Sequence, residues 1–116
     1  MSNRHKNIKL FLNDILDSIQ KIEIYTQGMT YDQFVKDEKT KDAVLRNLEI
    51  IGEAIKNIPG DIKEKYSEIK WKGITGMRDK LIHEYFGVSF PIVWETIKND
   101  MTILKNEVKK IFDEIE

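Results

Sequence analysis

Apolar residues recur along this chain at intervals of three and four, and no segment alternates cleanly as a half-buried strand would. Ile8, Phe11, Leu12, Ile15, Ile19 and Ile22 form one stripe, which predicts a first helix from about Asn3 to Gln27 with Gly28 as its stop. The stretch TYDQF then offers Thr30 as an N-cap and Gln33 three residues on, a capping box that opens a short helix to about Asp37. Val44, Leu48, Ile51, Ile55 and Ile58 predict a third helix from about Thr40 to Asn57, ended by Pro59-Gly60. DIKEKYSEI fits a short helical turn. A fourth long helix starts between Ile69 and Lys72 and runs to Gly87.

The last helix begins near Ser89, with Pro91 tolerated in its first turn. Phe90, Trp94, Ile97, Met101, Leu104, Val108, Ile111 and Ile115 alternate steps of four and three, the spacing of a coiled-coil seam. Such a seam packs along another helix at a shallow angle, inside the bundle or against a second copy. The whole pattern predicts an all-α fold, an up-and-down bundle of four long helices plus one or two short ones, as one domain over residues 1–116.

Composition narrows the chemistry. A chain of 116 residues with 41% hydrophobic positions can bury roughly two thirds of its unfolded surface without covalent staples. Cysteine is absent, which rules out disulfides, thiolate nucleophiles and thiolate metal sites. No apolar run approaches the about 20 residues of a membrane span, and the first twenty residues lack a signal peptide's continuous apolar core. The expectation is a soluble cytoplasmic protein without a membrane role. The formal net charge is −1, from 19 basic and 20 acidic residues, so any nucleic-acid contact must come from a local patch.

The candidate chemistry lies in MRDKLIHEYFG, residues 77 to 87. With Ile74 at the centre of the fourth helix's apolar stripe, Leu81 and Tyr85 fall within about 20° of it and Arg78 about 40° away. A cation inside an apolar stripe is expensive unless it faces a wet cleft, reaches solvent, or pairs with a carboxylate such as Glu49 or Glu53. His83, one of two histidines, falls about 140° from Arg78. In one regular helix the two side chains cannot share a small site. Either the helix distorts at its end, or a two-fold axis brings two copies of each residue to one cleft.

Arg offers a planar fork of donors for phosphate, and His transfers protons near neutral pH. Attack by the 2′-hydroxyl of RNA on its own phosphate needs both functions and no metal: a base, an acid, and a cation for the charged transition state. The chemistry and the helical wheel both favour a dimeric site with two His83.

Between Lys63 and Lys80 six basic residues stand against three acidic ones, which marks Lys70, Lys72 and Lys80 as candidate RNA-binding residues. Tyr66 and Trp71 lie in the same stretch, as base-stacking rings or as core. No metal-ligand, phosphate-loop or dinucleotide spacing occurs, so neither a metal nor a cofactor is expected. Arg46, Glu49 and Glu53 share one face of the third helix, opposite its apolar stripe, as mutual ion pairs or as a wall of the site. Gly52 in mid-helix costs about 1 kcal/mol against alanine, which suggests a close helix contact beside the catalytic helix or at a dimer axis.

Arg78-x4-His83-x-Tyr85 resembles the RX4HXY motif of HepT-like proteins in the HEPN superfamily. DAVLRNLEIIGEAIKNIP, residues 42–59, resembles that family's second signature, and residues 71–100 resemble its core. The likeness spans the chain. It implies a HEPN-like helical bundle that forms a homodimer with Arg78 and His83 lining a cleft between subunits. It further implies a metal-independent endoribonuclease, the toxin of a toxin–antitoxin pair of the type II or type VII kind. The implied partner is a minimal nucleotidyltransferase antitoxin that transfers AMP to the motif tyrosine. By that resemblance Arg78 stabilises the phosphate, His83 transfers protons, Asp79 supports them, and Tyr85 accepts AMP. A second reading makes the chain a non-catalytic substrate-binding or partner subunit of such a nucleotidyltransferase.

Overall fold

A computed structural model describes residues 3–83 and 87–115. Helix α1 spans Asn3–Thr26, α2 Tyr31–Lys36, α3 Glu38–Lys56, α4 Gly60–Lys65 and α5 Trp71–His83. The last long helix is built of α6, Phe90–Glu95, a π-helical turn over Thr96–Asp100, and α7, Met101–Glu114. Among the described residues the fold is all-helical, with α3 packed between α1 and α5 and α7 packed along α1. The expected helical bundle is observed.

Local chemistry places the boundaries. Gly28 turns the chain after α1 with φ of +75°, a left-handed conformation that costs glycine nothing. Thr30 accepts from the backbone N–H of Gln33 while the Gln33 side chain accepts from the N–H of Thr30, the reciprocal cap expected at α2. Helix α3 starts two residues before the predicted Thr40, because the Asp37 carboxylate accepts from Thr40 N at 3.0 Å. The fourth helix is predicted to run to Gly87; α5 is helical through His83, and residues 84–86, on which the predicted last turn falls, lie outside the described residues.

Leu12, Ile15, Ile19 and Ile22 of α1, Val44, Leu48, Ile51 and Ile55 of α3, and Met101, Leu104, Val108 and Ile111 of α7 form one buried core. The seam of the last helix is therefore internal to the chain, as the bundle reading expected. The continuous helix expected there is interrupted: Met101 N–H donates to the carbonyl of Thr96, five residues back. Ahead of that turn Phe90 and Trp94 pack on Phe34 of α2, and behind it the stripe packs on α1. The wider turn re-aims one stripe from a short helix to a long one.

Trp71 and Tyr66 also belong to this framework. Trp71 is only 8% exposed, and its indole N–H donates to the carbonyls of Lys63 and Tyr66. The Tyr66 hydroxyl donates to Glu114 at the far end of α7, beside Lys65. Of the two readings, base-stacking ring or core, Trp71 takes the core one, and the Tyr66 hydroxyl is tied to α7. Loss of hydration and the Glu114 carboxylate push the Tyr66 hydroxyl up to about 12, and the Tyr66 and Lys65 donors hold Glu114 below the usual carboxylate range. The tyrosine's share of stability is thus complete below its unfolded value near 10 and fades as pH rises through about 12. The glutamate's share is present above its unfolded value and fades as pH falls through the depressed one. Glu114→Gln is expected to bring Tyr66 back toward 10, read by absorbance titration of the phenolate in the folded protein. A Tyr66 titration unchanged in that variant would show that burial alone sets it.

Candidate active site

Helices α3 and α5 build the site between them. At Gly52 of α3 an added Cβ would lie 2.7 Å from Arg78 Cγ. Arg78 therefore enters the apolar stripe of α5 because the facing helix carries no side chain there. Its side chain is only 20% exposed, and it is paired. Nη2 donates to Glu53 at 2.5 Å and Nη1 to Asp79 at 3.0 Å. Of the two carboxylates expected as partners, Glu53 is the one used, although it lies at the surface and is 58% exposed. Glu49 pairs with Arg46 at 3.3 Å instead.

Asp79 is held from both sides. It accepts from Lys56 Nζ at 2.9 Å as well as from Arg78, and the two cations, Lys56 foremost, hold its carboxyl below the usual range. Those carboxylates in turn strengthen the Arg78 charge, with Asp79 the larger cause. Arg78 Nε is buried and has no hydrogen-bond partner. A buried donor left unmade costs about 1–3 kcal/mol.

An open groove of about 220 Å³ runs past this network, lined by Asp14, Arg46, Glu49, Ile50, Glu53, Ala54, Arg78 and Ile82. The second signature and the motif arginine thus meet in one cleft, and Arg46, Glu49 and Glu53 form its wall. Lys56 and Asp14 were not singled out from sequence. Lys56 lies seven residues after Glu49 and three after Glu53, so helical spacing already placed it on that face. Asp14 comes from α1, and no local pattern connects it to α5.

His83 does not join them. It is exposed, and α5 is helical through His83, so the two side chains point about 140° apart. Distortion at the end of the helix, one of the two routes by which they could meet, falls on residues 84–86, outside the described residues. Tyr85 lies outside the described residues. Lys72 and Lys80 line a different groove from Arg78, and Lys70 lies 3.8 Å from Asp100. Among the described residues there is no cluster of three or more His, Cys, Asp or Glu suited to a metal, and no helix long and apolar enough to cross a membrane.

Residues 15–111 match the family model described as "Ribonuclease HepT-like". A Methanocaldococcus jannaschii protein named "Putative RNase MJ1216" is 50% identical over 111 residues, 96% of this chain and 92% of that one. "Probable ribonuclease HepT" of Thermococcus cleftensis is 46% identical over 96% of this chain and 98% of its own. A third relative, "Gamma-glutamylcyclotransferase and putative RNase MJ0434" of Methanocaldococcus jannaschii, is 49% identical, but the match covers 50% of its length. No solved structure matches the chain.

Proposed function

Since the chain belongs to the HepT-like ribonuclease family, we propose that it is a metal-independent endoribonuclease whose site is completed by a second copy of itself. One observation carries the dimeric part. Arg78 is held on a groove with an unsatisfied Nε–H, while the histidine suited to proton transfer sits about 140° around the same regular helix. A homodimer that apposes the two α5 helices supplies what one chain lacks.

In such a cleft one His83 removes the 2′-OH proton. O2′ attacks phosphorus and the bond to O5′ breaks, leaving a 2′,3′-cyclic phosphate. The second His83 protonates the departing 5′-oxygen. Arg78 offers the Nη2 donors to the phosphate oxygens as charge builds on them, with Asp79 and Lys56 fixing the guanidinium's plane through Nη1. Glu53 yields its hydrogen bond to the substrate, which its exposure permits. Wild-type protein is expected to cleave RNA in excess EDTA and to leave cyclic phosphate ends, resolved by mass spectrometry of the fragments. Cleavage that stops in EDTA and returns with Mg²⁺ would sink the metal-independent mechanism. No cleavage at all would favour the non-catalytic partner subunit.

The regulatory part of the reading rests on the family motif. The chain acts as a toxin, and a minimal nucleotidyltransferase antitoxin silences it by adding AMP to Tyr85. In a continuous helix Tyr85 would stand about 10.5 Å along the axis from Arg78 and nearly on its face, so an added phosphate would compete for the same cation. Tyr85→Phe is expected to keep ribonuclease activity and show no added AMP by intact mass after incubation with the nucleotidyltransferase and ATP. A Phe variant that is still silenced would refute the switch.

A further inference from the structure

Two open grooves border α5, one on its face away from Arg78 and one at its N-terminal end. One, about 310 Å³, runs between α5 and the start of α6, with Lys72 and Lys80 among its lining and Met77, Leu81, Val88 and Ile92 as apolar walls. The other, about 460 Å³, lies over the loop that enters α5 and is lined by Lys63, Lys70 and Lys72 beside Ile69. They share Lys72 and Gly73, so they adjoin at the start of α5 and together make a track along it.

The charge of this track departs from that of the chain. Its ionisable lining is four lysines and a single acid, Glu64, whereas the whole protein is balanced at −1. Among the described residues Lys63, Lys72 and Lys80 form no ion pair, and Lys70 has only its 3.8 Å contact with Asp100. Like charges gathered on one surface repel one another, so the cluster works against stability.

The helix surface along the track is also bare. Gly73 and Gly76 are exposed inside α5, where glycine disfavours the helix, and a Cβ at Gly76 would meet nothing within 4 Å. Packing within the chain does not call for Gly76. An approaching ligand backbone would. His83 lines neither groove but follows Lys72 on the same helix face: the two are eleven residues apart, about 20° around an ideal helix, and Lys80 lies one turn before His83.

We propose that this track is the path of single-stranded RNA, which delivers a strand along the outer face of α5 to His83. Lysines pair with successive phosphates, the bare glycines admit the sugar-phosphate backbone, and one unstacked base lodges against the apolar walls between α5 and α6. A duplex keeps its bases inside and has no use for that apolar groove, whereas a single strand splays them outward. The proposal rests on the ribonuclease reading and adds the strand's route, at a place separate from the Arg78 groove.

The test uses the full chain with a short uncleavable 2′-O-methyl RNA for binding and its unmodified counterpart for cleavage. The combined Lys63→Ala, Lys72→Ala and Lys80→Ala variant is compared with Gly76→Leu, and with Lys109→Ala on the exposed face of α7 as control. Each lost phosphate contact flattens the dependence of log affinity on log salt by about 0.7 for a single strand, so the triple variant is expected to lose about 2 from the slope. Its KM for RNA should rise tenfold or more. Gly76→Leu fills open space and should raise KM with the slope intact, and thermal melts verify that each variant folds. Wild-type protein that cleaves while both variants match it in slope and KM would overturn the path and leave the groove to an acidic protein segment. Wild-type protein that binds with the lysine-dependent slope but does not cleave would support the path and overturn the ribonuclease reading instead.

Discussion

Replacing His83 by alanine is expected to lower kcat for RNA cleavage by two to four orders of magnitude, the usual contribution of a positioned acid or base. The more telling result comes from mixing. If one cleft needs a proton acceptor and a proton donor, and each subunit supplies one His83, only dimers with two intact chains work at full rate. Activity should then fall as the square of the wild-type fraction, to about a quarter in an equal mixture allowed to exchange subunits. A linear fall to about half would mean that each chain carries a complete site and would refute the shared cleft. His83 is exposed at the end of α5 and belongs to no core contact, so its removal should leave the melting temperature in place. Arg78→Ala should also abolish cleavage, but it leaves Glu53 and Asp79 without their shared cation and so mixes a structural effect with a catalytic one.

The second large effect is expected at a residue that performs no chemistry. Gly52→Ala adds a methyl group 2.7 Å from Arg78 Cγ and close to the Arg78 backbone, whose Cα lies 3.7 Å away. No rotamer of Arg78 removes its own Cβ from that place, so α3 and α5 must separate. Helix propensity favours alanine by about 1 kcal/mol, and overpacking costs about 1–3 kcal/mol, so the net loss of stability should be modest. Activity should suffer more. A displacement on the order of 1 Å at a positioning cation costs roughly 10²-fold. The expected outcome is a hundredfold drop in kcat with a melting temperature lowered by a few degrees. Gly76→Ala, where the added methyl meets open space, should instead gain about 0.5–1 kcal/mol. Full activity in Gly52→Ala would show that the close approach of the helices does not set the Arg78 position.

These two glycines mark how far a sequence reaches. Gly52 stood out because glycine is poor in mid-helix, and Arg78 stood out because a cation interrupts an apolar stripe. Each was visible alone. That the two fill each other's space depends on how α3 and α5 are set against one another, which no local spacing records. The same holds for the arginine's partner. Glu49 and Glu53 are equivalent on a helical wheel, yet Glu53 meets Arg78 while Glu49 turns to Arg46. The π turn at Thr96–Asp100 was hidden for a related reason. The four-three spacing runs through it unbroken, and the cause lies in the two different helices that the stripe must cover.

The lysines show a third kind of limit. Their clustering between Lys63 and Lys80 is plain in the sequence, but a count of charges does not say which face of the helix they occupy. The helix separates them: Lys72 and Lys80 face away from the arginine and toward the side that carries His83.

By itself the sequence determined the helices, their caps, their buried stripes and the angle between Arg78 and His83. All of these follow from hydrogen bonds four residues apart and a repeat of 3.6 residues, which are properties of neighbours along the chain. Only the tertiary structure decided which carboxylates hold the arginine, that a glycine on another helix makes room for it, and that two charged surfaces lie on opposite sides of α5. Those depend on contacts between residues far apart in sequence, whose register is settled when the core packs.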